Sequence, residues 1–323
     1  MMRVSFALMA VATGAFLAGR EVGPRHRSES SARDSLLDNV IAAIRTYYVD
    51  SLDEMELTRL AARSMVAQLG DPYSRLLDET GYRAEFPSAT GTASAPRLED
   101  GTGIITLPIV SAGSASALRG TIAAYERDGL HGLVLDLRGN PGGFVNEAAH
   151  IADLFLDQAI AIGWLRGRTE RQSQRFIART RQLWPDLPLV VLVDGRTASA
   201  AELIAGSLQE HDRAVIVGTP TFGKGLAQTP IALGRGLVLE LSTARWYTAV
   251  GRPLDRAAAD GGGRYYSDRG RQLPDSGGVA PDILIETGAA DPLDVALDLL
   301  RHCRTTEQLL ARVEQQRSAV APQ

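Results

Sequence analysis

Apolar positions recur along this chain in two rhythms, one helical and one extended. Leu37, Val40, Ile41 and Ile44 fall at helical spacing behind Asp34, which predicts a helix over 34–48 with Asp34 as its N-cap. Ser51 and Glu54 form a capping-box pattern ahead of Leu57, Leu60, Ala61 and Met65, and Gly70 ends this second helix. The two helices predict a small N-terminal helical unit over 30–85. Asp71-Pro72 breaks the chain. Residues 86–103 are small, polar and Gly-rich, the composition of a linker or an exposed loop.

From residue 104 to the end, strand and helix signals alternate. Short apolar runs at 104–110, 132–137, 189–193 and 214–217 predict strands. Helical spacing fills 112–127, 146–156 and 199–209 between them. Continuous apolar strands separated by helices predict an α/β fold with a mostly parallel sheet covered on both faces. Residues 229–233 and 237–243 then read as a hairpin across Gly234-Arg235-Gly236. Residues 257–278, rich in Gly, Arg and Asp, read as a surface excursion, and helices over 292–303 and 305–315 follow.

Residues 4–19 are an apolar run behind Arg3, with Arg20, Glu21 and Arg25 close after it. Basic-then-apolar order at an N-terminus is the export pattern, so 1–25 reads as a signal peptide or a short membrane anchor. The expected location is the periplasm, or the outer face of the inner membrane. Cys303 is the single cysteine, so no intramolecular disulfide forms, and its apolar neighbours predict a buried structural thiol. A net charge of -4 predicts no nucleic-acid partner. No H-E-x-x-H and no cysteine cluster is present, so neither a metal nor another cofactor is expected.

Among 34 basic residues only one, Lys224, is lysine. Arginine cannot lose its proton in a protein, whereas a buried lysine can. A chain that writes every other cation as Arg keeps Lys where a neutral amine is needed. Lys224 stands in Gly218-Thr-Pro-Thr-Phe-Gly-Lys-Gly225, close to the phosphate-loop pattern G-x-x-x-x-G-K-[ST]. The loop departs from that pattern at Gly225, where a metal-holding hydroxyl belongs, and a strand-like segment follows it. Two other elements carry chemistry. Ser199 opens a helix among small residues, either as its cap or where free N–H groups favour a developing oxyanion. Gly139-Asn140-Pro141-Gly142-Gly143 follows a strand, either as a tight turn or as a pocket of backbone N–H groups.

With these motifs in order, the chain resembles the C-terminal processing (tail-specific) peptidases over 34–85 and 104–285. The resemblance rests on DPYS (71–74), LDLRGNPGG (135–143), LVVLVDGRTASAAE (189–202), RAVIVGTPTFGKG (213–225), Gln228, TARWYTAVGRPL (243–254) and GGVAPDI (277–283). It implies a crotonase-like catalytic core over 104–323 with Ser199 as nucleophile and Lys224 as general base. Gln228 then orients the lysine, and the N–H groups of Gly143 and Ala200 bind the oxyanion. The family's PDZ domain has only 86–103 in its place, which is far too short for one.

An ordinary lysine, with a pKa of about 10.4, is charged at neutral pH. Burial disfavours the ammonium by up to about 3–5 units, which frees the amine to take a serine proton. The expectation is a serine endopeptidase acting on exported polypeptides, either constitutively active or dependent on a separate adaptor protein, with a homo-oligomer as a further expected partner state. The competing expectation is a non-catalytic homologue that binds peptides as a scaffold or adaptor, against which an intact Ser199, Lys224 and Gln228 speak.

Overall fold

A computed structural model of the chain describes residues 31–85, 94–259, 261–286, 288 and 290–320. The apolar run at 4–19 and the first part of the expected linker lie outside these residues. In chain order the elements begin with α1 (Ser31–Tyr47), α2 (Glu54–Ala67), β1 (Arg75–Asp78), α3 (Glu79–Glu85), β2 (Ser94–Glu99) and β3 (Thr102–Thr106). They continue with α4 (Ser114–Arg127), β4 (Gly132–Asp136), α5 (Val145–Asp153), β5 (Ala161–Gly167), β6 (Gln174–Ile177) and β7 (Leu189–Val193). Next come α6 (Ala200–Glu210), β8 (Val215–Gly218), β9 (Leu226–Gly234) and β10 (Leu237–Thr248). The last are β11 (Tyr265–Tyr266), β12 (Gln272–Leu273), β13 (Ile283–Leu284), α7 (Pro292–Arg301) and α8 (Thr306–Val320). Among the described residues no helix is long and apolar enough to cross a membrane.

The chain divides into two compact units. The larger takes the described residues of Ala84–Thr229 and those from Thr243 onward. Its main sheet has the order β13-β8-β7-β4-β3-β2, parallel throughout except for β2 at one edge. Every residue of β4, β7 and β8 is buried, as their unbroken apolar runs require. One face (Ile105, Leu133, Leu135, Val191, Ile216) packs with Leu118 and Ile122 of α4, Ile151 of α5 and Leu203 and Leu208 of α6. The other (Ile104, Val134, Val190, Leu192, Val215, Val217) packs with Leu299 and Leu300 of α7 and Leu309 of α8. Cys303 lies in this second core, and burial pushes its thiol pKa up, which suits an inert structural thiol.

Strands absent from the sequence reading make up the rest of this unit. β5 pairs antiparallel with the second half of β10 and with β6. Trp246 and Phe176 close its inner side with ring centroids 5.5 Å apart. In the smaller unit β1 pairs antiparallel with the first half of β10, and Arg75 and Glu240 form an ion pair of 2.6 Å.

Several local expectations need correction. Asp34 lies inside α1 and so does not cap it. Ser51 does not cap α2 either: Asp53 stands at the N-cap, its carboxylate accepting from the Glu56 N–H at 3.0 Å. Part of the expected linker is ordered: 94–99 forms β2, which turns at Asp100-Gly101 and pairs with β3. Its polar composition is that of an exposed edge strand. The stretch 257–278 lies largely at the surface, as expected, and is tied down at a few points. Arg271 pairs with Asp212 and Asp282, and buried Arg252 donates to the carbonyls of Pro274 and Gly278.

Candidate active site

The carboxyl ends of β4, β7 and β8 open into three loops on one side of the parallel sheet, the edge where open α/β sheets gather ligand sites. The first holds Gly139–Gly143. The Val110 N–H donates to the Gly142 carbonyl at 2.8 Å, and the Phe144 N–H donates to the Val110 carbonyl at 2.7 Å. Between these bonds the chain must pass very close to its neighbours. A Cβ on Gly143 (φ +143°) would lie 1.8 Å from the Val110 carbonyl oxygen. One on Gly142 (φ +104°) would lie 3.0 Å from both the Ser199 Cβ and the Ala200 N. Glycine is therefore what lets this loop touch the start of α6. Among the described residues, neither the Gly143 nor the Ala200 N–H donates to a protein acceptor.

The second loop carries Ser199. Just before it, the Thr197 hydroxyl donates to the Leu137 carbonyl at 2.8 Å and accepts from the Asp194 N–H at 3.0 Å, tying the ends of β4 and β7 together. Ser199 takes the N-cap of α6 with φ 55° and ψ −118°. That backbone geometry costs a non-glycine residue about 1–3 kcal/mol and persists only where its surroundings fix it. Here the Ala198 N–H donates to the Asn140 carbonyl at 2.9 Å, and the Leu203 N–H donates to the Ser199 carbonyl at 3.1 Å. The Ser199 N–H donates to Oε2 of Glu202 at 2.7 Å.

The third loop, 219–225, is drawn onto the same carboxylate. Oε2 of Glu202 also accepts the Lys224 N–H at 2.9 Å. Oε1 accepts the Gly223 N–H at 2.7 Å and the Thr221 hydroxyl at 2.5 Å. Ser199 and Lys224 are thus gathered onto one buried oxygen. Their side chains are nearly closed to solvent, Ser199 at 3% exposure and Lys224 and Gln228 at 1%. Gln228, on β9, anchors its Nε2 on the Leu226 carbonyl at 3.2 Å. The phosphate-loop alternative fails on this geometry. The Gly223 and Lys224 N–H groups that would cradle a phosphate already bind Glu202, and the chain after Lys224 enters a strand, not a helix. Among the described residues no cluster of His, Cys, Asp or Glu is placed to hold a metal ion.

Glu202 was not singled out by the sequence, although its place three residues after Ser199 is the capping-box signal. It is fully buried, which pushes its pKa up, while its four donors pull the other way. All four partners are donors, and the Thr221 oxygen itself accepts from the Val279 N–H at 2.7 Å. An amide in place of the carboxylate would turn its NH₂ toward two donors in either orientation. Glu202→Gln is expected to destabilise the protein by about 1–3 kcal/mol, the cost of unsatisfied buried groups, read as a lower denaturant midpoint at unchanged slope.

The α/β core thus holds a buried serine at a helix N-terminus and a buried lysine whose backbone N–H groups share one carboxylate oxygen, and its likeness to known proteins makes it a serine-type peptidase domain. Residues 101–260 match Peptidase family S41, and the chain carries a domain of this family. It is 37% identical over 171 residues to the "Carboxy-terminal-processing protease" of Bartonella bacilliformis, covering 53% of this chain and 35% of that one. It is 35% identical over 153 residues to the "Carboxy-terminal processing protease CtpA" of Bacillus subtilis, covering 47% of this chain and 32% of that one. The matched region spans about a third of these relatives' length. The mixed α/β fold is shared with a solved "Photosystem II D1 C-terminal processing protease" at a TM-score of 0.56 and 18% identity, covering 84% of this chain and 97% of that one. The same fold appears in a "lipoprotein from Streptococcus agalactiae" at a TM-score of 0.53 and 16% identity, covering 81% of this chain and 88% of that one.

Proposed function

We propose that this protein is a serine endopeptidase that cleaves polypeptides with a Ser199/Lys224 dyad. The observation that carries the reading is the shared Glu202 oxygen, which brings the helix-opening serine and the chain's single lysine to one buried point. An ammonium removed from water is disfavoured relative to the neutral amine. Neutral Lys224 takes the Ser199 hydroxyl proton as the oxygen attacks the scissile carbonyl carbon. The oxyanion forms against the N–H groups of Gly143 and Ala200, where the α6 dipole adds to their pull. The lysine returns its proton to the leaving amine, and an acyl-enzyme on Ser199 remains. Water then enters, gives a proton to the same amine and adds to the acyl carbon; the bond to the Ser199 oxygen breaks, the lysine returns the proton to that oxygen, and the new C-terminus leaves. Gln228 turns the amine toward Ser199 and adds no charge that would raise its basicity.

Polypeptides are the proposed substrates, in keeping with relatives that are named as carboxy-terminal processing proteases. We place the protein outside the cytoplasm, in the periplasm or on the outer face of the inner membrane, because of the apolar run at 4–19. The short 86–103 segment stands in place of a PDZ domain, so capture of substrate tails falls to a separate adaptor or to the core itself. The test is to incubate the purified protein with denatured polypeptides and identify new C-termini by mass spectrometry. Cleavage at many sites in unfolded chains is the expected result. A protein that neither cleaves nor reacts with a fluorophosphonate probe would instead be a binding scaffold.

A further inference from the structure

We propose that Asp194 is a positioning residue that sets the Gly139–Gly143 loop against Ser199. This deepens the peptidase reading above and rests on it. Oδ1 of Asp194 accepts three backbone N–H groups: Gly139 at 2.9 Å, Arg196 at 2.9 Å and Thr197 at 3.0 Å. Gly139 opens the loop after β4, while Arg196 and Thr197 belong to the loop after β7. One oxygen therefore fixes the start of the proposed oxyanion loop to the segment that carries the proposed nucleophile. The other end of the glycine loop already leans on Ser199 and Ala200 through Gly142. Freeing Gly139 removes the tie at the start of this loop and leaves its placement to the Gly142 contact, the two Val110 bonds and the Ala198–Asn140 bond.

What the site asks of Asp194 is an acceptor and not a charge. All three N–H groups converge on Oδ1. Oδ2 faces only the guanidinium of Arg196, at 3.4 and 3.5 Å, and that side chain is largely exposed. An exposed pair of this kind contributes little. Burial alone would raise the carboxyl's pKa, but the N–H groups of Gly139, Arg196 and Thr197 and the Arg196 charge hold it below its ordinary value. An asparagine with its oxygen at the Oδ1 position would keep all three bonds. An alanine would keep none.

The test compares the native protein with Asp194→Ala and Asp194→Asn. It measures kcat and KM on an unstructured polypeptide, and amide hydrogen exchange over 139–144. Misplacing a reacting group by about 1 Å costs on the order of 10²-fold, so Asp194→Ala is expected to lose about that much in kcat. Its KM should stay near the native value, because the loop acts on the transition state. Exchange over 139–144 should quicken. Asp194→Asn should restore both rate and protection. An alanine variant with native kcat and native exchange overturns the proposal. So does an asparagine variant as slow as the alanine one, or an alanine variant that loses folded protein while each folded molecule keeps its kcat. If the native protein has no turnover, the peptidase reading fails, and the exchange measurement alone still decides whether Asp194 holds the loop.

Discussion

Lys224→Arg is expected to lose turnover by at least the ~10²–10⁴-fold that general-base catalysis supplies. On a view of charge alone the exchange is mild, since every other basic position in the chain is already arginine. A guanidinium stays protonated at any working pH and cannot accept the serine proton. If Lys224 only attracted substrate carboxylates, arginine would serve as well or better. The side chain sits at 1% exposure, so the larger guanidinium also brings an overpacking cost of about 1–3 kcal/mol. Lys224→Met separates the two effects, because it keeps an unbranched chain of similar reach and removes the amine. Both variants should be inactive, and the methionine protein should match the native circular dichroism. Near-native turnover in folded Lys224→Arg would remove the lysine from the base role.

Ser199→Ala should reduce hydrolysis to background. Attack by the serine hydroxyl is the step on which the acyl-enzyme route depends. The fold should change little, since a lost N-cap costs about 0.5–2 kcal/mol. Ser199→Gly makes a sharper comparison. At φ 55° a serine is strained and a glycine is not, so this variant should be inactive and yet at least as stable as Ser199→Ala in thermal unfolding. A glycine or alanine protein that still cleaves polypeptides would show that the hydroxyl is not the nucleophile.

Much of the larger unit was legible in the sequence because its central strands are buried on both faces. LVVLV and VIVG can be little else once helical stretches flank them, and Ser199 and Lys224 follow those strands directly. β5 and β6 were not legible. Trp164, Arg166 and Arg175 lie on their outer side, where Arg175 stacks over Trp164 and Arg166 over Tyr247, and this mixture resembles no simple alternation. β2 was hidden by its edge position and by Pro96. The organising carboxylates leave no such pattern in the sequence. Asp194 and Glu202 act on backbone N–H groups that folding brings from distant segments, Gly139 in one case and Gly223 and Lys224 in the other. No side-chain pattern records a backbone donor. The helix caps show the same limit on a smaller scale, where Asp53 won over Ser51 because its carboxylate reached the Glu56 N–H.

The central claim is that Lys224 activates Ser199. The most direct measurement is to react the native and Lys224→Met proteins with a fluorophosphonate and to locate and time the adduct by peptide mass spectrometry. Modification of the native protein at Ser199, slowed by about 10²-fold or more in Lys224→Met, is the predicted result. An adduct on another residue, or equal rates in the two proteins, would contradict it.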